Sequence, residues 1–157
     1  REMDISNGEG IRVSLFVQGC RFHCKGCFNK ETWDFNGGKE WTKDIEQEFI
    51  ELGERKYIDG YSILGGEPLA QDQQILELVK KIKTHTGKSI WMWTGFEFEN
   101  LNEFQKEAIS YVDVLVDGKF VEELKDMKLQ FRGSSNQRII DIKETLQKGY
   151  VVPYKIK

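Results

Sequence analysis

Hydrophobic positions in this chain recur in two periods that take turns along the sequence. Ile11, Val13, Leu15 and Val17 alternate with Arg12, Ser14, Phe16 and Gln18, which predicts a strand with two different faces over residues 11–18. Thr42 then offers an N-cap, and Ile45, Phe49, Ile50 and Leu52 follow at helical spacing. Residues 60–64 read as a second strand that runs straight into Gly65-Gly66-Glu67-Pro68. From Asp72 onward Ile75, Leu76, Leu78, Val79 and Ile82 form one apolar stripe, stopped by Gly87. Residues 89–94 predict a third strand. Asn100 with Glu103 has capping-box spacing before a helix carrying Leu101, Phe104 and Ala108. Residues 111–116 predict a fourth strand, with Val112, Val114 and Val116 on one face and Asp113, Leu115 and Asp117 on the other. A short helix is expected over 120–129, a polar loop over 131–137 and a short strand over 138–140. Asp141 and Glu144 again space a cap, Gly149 ends that helix, and 150–156 predicts an edge strand, where Pro153 needs no ladder partner.

Strand and helix alternate throughout, so the expected fold class is α/β with a mostly parallel sheet. A closed eight-fold barrel takes about 250 residues, and the chain has 157. A partial, laterally open (βα) barrel therefore fits better, built as a single domain over 1–157, with no internal repeat and no linker. Hydrophobic residues make up 39%, enough for a folded core. The net charge of −3 comes from 23 basic and 26 acidic residues intermixed, with no basic stripe for nucleic acid. No apolar run reaches about 18 residues, so no membrane span is expected. The absence of a visible signal peptide predicts a cytoplasmic protein.

All three cysteines lie within Cys20-Arg21-Phe22-His23-Cys24-Lys25-Gly26-Cys27, directly after the first strand. An odd count cannot pair fully as disulfides. Three crowded thiolates suit an iron–sulfur cluster or zinc. A closed site for either normally has four protein ligands, so three leave one position for a small molecule. Zinc completed by His23 or His85 is the alternative at this point. His85, late in a helix, also simply complements the helix dipole. The cysteines follow one strand and Gly65-Gly66-Glu67 the next, at the strand ends where active sites of parallel α/β folds gather.

Cys20-x-x-x-Cys24-x-x-Cys27 together with Gly65-Gly66-Glu67-Pro68 resembles the radical S-adenosylmethionine (SAM) superfamily. The resemblance implies that Cys20, Cys24 and Cys27 hold three irons of a [4Fe–4S] cluster and are the catalytic and metal-binding cysteines. It implies that the amino and carboxylate groups of SAM chelate the fourth iron. Glycine allows close backbone approach, so Gly65 and Gly66, with the Glu67 carboxylate, are candidates for the methionine amino group. Many members carry an aromatic just before the third cysteine. Here that position is Gly26 and the aromatic, Phe28, follows Cys27, so Gly26 to Phe28 are the candidates for the adenine. Asp117 and Lys119 resemble a pair near SAM in related activating enzymes.

A narrower resemblance spans nearly the whole chain. Residues 4–12, 19–29 and 31–33, Trp93-Thr94-Gly95-Phe96, residues 113–118 and residues 131–138 are similar to the activating proteins of anaerobic (class III) ribonucleoside-triphosphate reductase. That family implies an enzyme that cleaves SAM reductively to a 5′-deoxyadenosyl radical and generates a glycyl radical near the C-terminus of the reductase. The implied partners are that reductase and a flavodoxin-type or thiol reductant, with neither nucleic acid nor membrane. Competing readings are an activase for another glycyl-radical enzyme, a radical SAM enzyme acting on a small molecule, and a non-enzymatic iron–sulfur or zinc module. The loop from Arg132 to Arg138 carries two cations and four hydrogen-bonding residues, suited to a carboxylate, ribose hydroxyls or the partner.

Overall fold

A computed structural model of the chain describes residues 1–19 and 40–157. Within the described residues, five strands form one sheet in chain order: β1 Arg12–Val17, β2 Gly60–Gly65, β3 Ser89–Trp93, β4 Val114–Asp117 and β5 Arg138–Asp141. The first four run parallel, and β5 returns antiparallel to β4. The architecture is thus mixed α/β with a mostly parallel sheet. Among the described residues the sheet is open, with β1 and β5 as its edges.

The α-helices of the described residues, α1 Lys43–Gly53, α2 Gln73–Thr86, α3 Glu103–Ile109 and α4 Ile142–Lys148, all feed one core. The period-2 pattern explains why. Val13, Tyr61, Ile63, Ile90, Met92, Leu115 and Ile140 are alternate strand residues, and they pack with Phe49, Ile50, Ile75, Leu78, Val79, Ile82, Ala108, Ile109 and Ile142 from the helices. Thr42 caps α1 through Ile45 N–H. Gly87 and Gly149 end α2 and α4 in the left-handed conformation, at φ 66° and 79°, where a side chain would be strained. Among the described residues no helix is long and apolar enough to cross a membrane.

Several boundaries differ from expectation, each for a local reason. Residues 111 and 112 do not open β4, because Tyr111 and Val112 donate back to Ala108 and Ile109 and finish the turn of α3. The α3 cap is Asn102, paired reciprocally with Gln105, and not Asn100 with Glu103; Asn100 closes a 3₁₀ turn, Phe98–Asn100. Asp72 precedes α2 without a side-chain cap bond, at φ 52°. The helix expected over 120–129 shrinks to one 3₁₀ turn, Glu122–Leu124. The 150–156 strand is reduced to an isolated bridge of Ile140 with Pro153, flanked by Asp141 N–H to Val152 C=O and Tyr154 N–H to Ile139 C=O. Pro153 supplies no donor, so the ladder cannot extend.

The opposite sheet face is built around a buried cation. Arg12 is 1% exposed. Its Nε donates to Ser62 Oγ, Nη1 to Glu9 C=O, and Nη2 to Tyr61 C=O and to both Ser89 C=O and Ser89 Oγ, all within 3.0 Å. One side chain thereby ties β1 to the starts of β2 and β3. Burial drops its pKa to about 10. A Cβ at Gly60 would sit 2.6 Å from Arg12 Nη2 and 2.3 Å from Ser89 O, so residue 60 must be glycine for the guanidinium to fit. Trp91, Tyr154 and Phe131 close over the same face. Replacing Arg12 by Ala should cost about 3 kcal/mol or more, because it strands several buried acceptors. Chemical denaturation under anaerobic conditions would measure this. A loss below about 1 kcal/mol would mean that water replaces the guanidinium.

Candidate functional site

Parallel strands bring their C-terminal ends to one edge of the sheet, and a cavity of ≈520 Å³ lies over that edge. Its walls come from successive strand exits: Gly65, Gly66 and Glu67 after β2, Trp93, Thr94 and Gly95 after β3, and Gly118 and Lys119 after β4. Phe131, Arg132 and Gln137 line it from the loop that returns to β5. Phe16 of β1 and Ser6 and Asn7 of the N-terminal segment complete the near side.

The two-glycine turn is joined to the exit of β1. Gly65 sits at φ 105°, and a Cβ there would come within 2.7 Å of both Val17 N and Val17 O. Glycine at 65 is thus required for β2 to lie against β1. Gly66 N–H donates to Val17 C=O and Glu67 N–H to Gly19 C=O, both at 2.7 Å. Gln71 Nε2 adds bonds to Gln18 C=O at 2.8 Å and Glu67 C=O at 3.1 Å. The turn thereby follows β1 past its end to Gly19, the residue before Cys20. Cys20, Cys24, Cys27, Gly26 and Phe28 lie outside the described residues.

The Glu67 carboxylate faces the protein. It is 2% exposed. Its Oε2 accepts from Leu69 N–H at 2.9 Å and from the Thr94 hydroxyl at 2.7 Å, and its Oε1 from Gly95 N–H at 2.6 Å. It binds the β2 exit to the β3 exit. Burial pushes its pKa up to about 7, outweighing the three donors that favour the anion. Sequence reading offered this carboxylate as a contact for an ammonium. In the structure its described bonds all hold backbone and side chain in place.

Asp117 and Lys119 part company. Asp117 is 1% exposed and does not line the cavity. It accepts from Phe98 N–H at 2.8 Å, and from Arg138 Nε at 3.0 Å and Nη2 at 2.5 Å. Arg138 also pairs with Glu99, and its guanidinium holds the Glu99 carboxyl below its ordinary value. Lys119 does line the cavity. Gln137 shapes the returning loop: its Oε1 accepts from Gly133 N–H and Ser134 N–H, and its Nε2 donates to Gly118 C=O.

Sequence reasoning passed over Gln71, and it named Asp4, Thr94 and Gln137 only as parts of longer stretches, without a separate role for each. Asp4 is buried and accepts from Ser6 N–H, Asn7 Nδ2 and Ser14 Oγ, which pins Ser6 and Asn7 at the cavity wall. The signal for Asp4 lay in its Asx-type spacing to Ser6 and Asn7. The bonds of Thr94 to the Glu67 carboxylate and of Gln71 to Gln18 leave no local signal, since these partners lie 27 and 53 positions away.

The arrangement suits the groups that the cysteine motif implies. A cavity of ≈520 Å³ bordered by Gly65, Gly66 and Gly95 has room for a small ligand. The comparisons agree on the cluster. Residues 6–140 match the family described as a 4Fe-4S single cluster domain. The anaerobic ribonucleoside-triphosphate reductase-activating protein of Escherichia coli (strain K12) is 46% identical over 140 residues, covering 86% of this chain and 91% of the relative. The protein of that name from Salmonella typhi gives the same identity and coverage. That from Enterobacteria phage T4 is 41% identical over 139 residues, 87% of each chain.

The buried carboxylate predicts a pH dependence of stability. The unfolded Glu67 ionises near 4.5 and the folded one near 7. Between those values the folded state binds the extra proton, so stability falls as pH rises through the window. The full loss is on the order of 3 kcal/mol. Glu67→Gln does not titrate. Denaturation midpoints from pH 4.5 to 8 should therefore decline more steeply in the parent protein than in the variant. Parallel curves would show that Glu67 stays ionised throughout.

Proposed function

The chain belongs to the family of anaerobic ribonucleoside-triphosphate reductase-activating proteins, and we propose on that footing that it generates a glycyl radical on such a reductase. The observation that carries this reading is the hydrogen bond from Glu67 N–H to Gly19 C=O. It brings the two-glycine turn to Gly19, the residue that precedes Cys20 in sequence, which supports a reading in which one ligand reaches both the turn and the cysteine motif.

Cys20, Cys24 and Cys27 would hold a [4Fe–4S] cluster, leaving one iron for the amino and carboxylate groups of SAM. When bound, these groups would supply one-electron reductive cleavage of SAM, the chemistry needed to oxidise a glycine of the reductase to its radical. The chain's own residues bind, orient and exclude water. Gly65 and Gly66 offer backbone to the methionine ammonium, with no side chain in the way. Glu67 holds that backbone through Thr94 and Gly95. Gly26 and Phe28 are the adenine candidates. Lys119 faces the cavity, and Asp117 fixes the wall behind it through Arg138.

The open sheet fits a partial, laterally open (βα) barrel in a single domain. Its unclosed side would admit a polypeptide, and a glycine-bearing segment of the reductase would both react and cover the cavity. Exclusion of water protects a reactive intermediate. A flavodoxin-type or thiol reductant would supply the electron, in the cytoplasm.

The test is anaerobic. Reconstituted protein, reductant, SAM and reductase should give a glycyl doublet by electron paramagnetic resonance. SAM cleavage without a doublet on the reductase would sink the assignment. Cys24→Ala should lose cluster binding and SAM cleavage together, and a full, active cluster in that variant would contradict the ligand set.

A further inference from the structure

The loop from Phe131 to Arg138 contains two arginines with opposite fates. A guanidinium has an Nε/Nη2 edge that takes a carboxylate side-on through two parallel bonds. In Arg138 that edge is spent on Asp117, with Nε to Oδ1 at 3.0 Å and Nη2 to Oδ2 at 2.5 Å. The remaining edge of Arg138 is spent on Glu99. Arg132 is held differently. Its Nη1 donates to Ser135 C=O at 3.3 Å and to Gln137 C=O at 2.5 Å. Both hydrogens of Nη1 are thereby used. Among the described residues nothing accepts from Nε or Nη2, and no carboxylate is within ion-pair distance. Arg132 lines the ≈520 Å³ cavity with Gly65, Gly66 and Lys119.

The loop is built to hold this group still. Gln137 fixes Gly133 and Ser134 through its Oε1, ties them to Gly118 through Nε2, and accepts the Arg132 Nη1 bond on its own carbonyl. The Trp93 indole N–H donates to Phe131 C=O at 2.7 Å, and Phe131 packs edge-on against Trp91. A guanidinium clamped at one end and bare along its bidentate edge is arranged for a planar anion.

We propose that Arg132 is a ligand-binding residue that receives a carboxylate in the cavity through its Nε/Nη2 edge, with Gln137 as its positioning residue, and that the carboxylate is that of the methionine part of SAM. The proposal rests on the function proposed above. The same chemistry is available from an acidic side chain of the entering polypeptide, and the experiment separates the two sources.

Binding of SAM and of decarboxylated SAM is measured anaerobically on the cluster-reconstituted protein, by equilibrium dialysis and by the change in the cluster's paramagnetic spectrum on adding ligand. Loss of a bidentate charged pair should weaken SAM about 10- to 100-fold in Arg132→Gln. Decarboxylated SAM should bind Arg132→Gln and the parent protein within about threefold of each other. Arg132→Lys keeps the charge without the fork, and should fall between the two for SAM alone. If Arg132→Gln does not retain its cluster, Arg132→Lys carries the comparison. Equal weakening of both ligands overturns the carboxylate contact and leaves Arg132 a wall residue. Unchanged SAM binding with weakened association of the reductase overturns SAM as the source. A parent protein that binds no SAM defeats the functional reading itself, and this proposal with it.

Discussion

One buried carboxylate sets the spacing of the strand exits. Glu67 leaves β2 and accepts from Thr94 and Gly95 at the end of β3, while its own N–H reaches Gly19 beyond β1. Three consecutive exits of the sheet are joined through this one residue. The cost is large, since burial lifts its ionisation to about 7 and a buried carboxylate is tolerated only when its lone pairs are matched. A protein under selection for stability alone would place an apolar side chain here. The gain is positional. The backbone of Gly65 and Gly66 is fixed without any side chain entering the space above it, which a ligand-binding wall needs.

The far ends of the same strands are held by the opposite charge. Arg12 collects carbonyls from Glu9, Tyr61 and Ser89 on the face away from the helices. Glycine at 60 makes room for it. Between these two polar clamps lies Trp91, packed with Tyr154 and Phe131. The inner face is therefore filled at the strand starts and open at the strand ends. That asymmetry gives a cavity with a floor, and it follows from where the polar residues sit along each strand.

The sheet was legible in the sequence because its apolar residues keep period 2 on the helix-facing side, and the helices because Thr42, Gly87 and Gly149 mark their ends. The turn after β2 was legible because Gly65 and Gly66 can serve few other purposes. The capping pair of α3 was misread by two residues, since Asn100 and Asn102 offer the same chemistry and only the 3₁₀ turn at Phe98–Asn100 decides between them. Asp117 had the right address, at a strand's end, but its partner Arg138 comes from 21 positions away. A motif names a residue's chemistry and leaves open which way it faces. Glu67 makes the same point, since its carboxylate turns into the protein while its backbone borders the cavity.

The β4–β5 return shows how a short chain can still wall a cavity. No α-helix separates these strands, so β5 runs antiparallel along the edge of the sheet. The roughly twenty residues between them stay at the strand-end side, where they supply Lys119, Phe131 and Arg132 to the cavity. A further parallel unit would have taken a crossover connection, usually helical, that runs back along the sheet to the strand starts. Returning directly exchanges that helix for a loop stiffened by Gln137, Arg132 and Asn136 against Gly118 and Lys119. The sheet stays open on that side as a result. An enzyme that must admit a polypeptide needs such an opening, whereas one acting on a small molecule would have to close it with residues of its own.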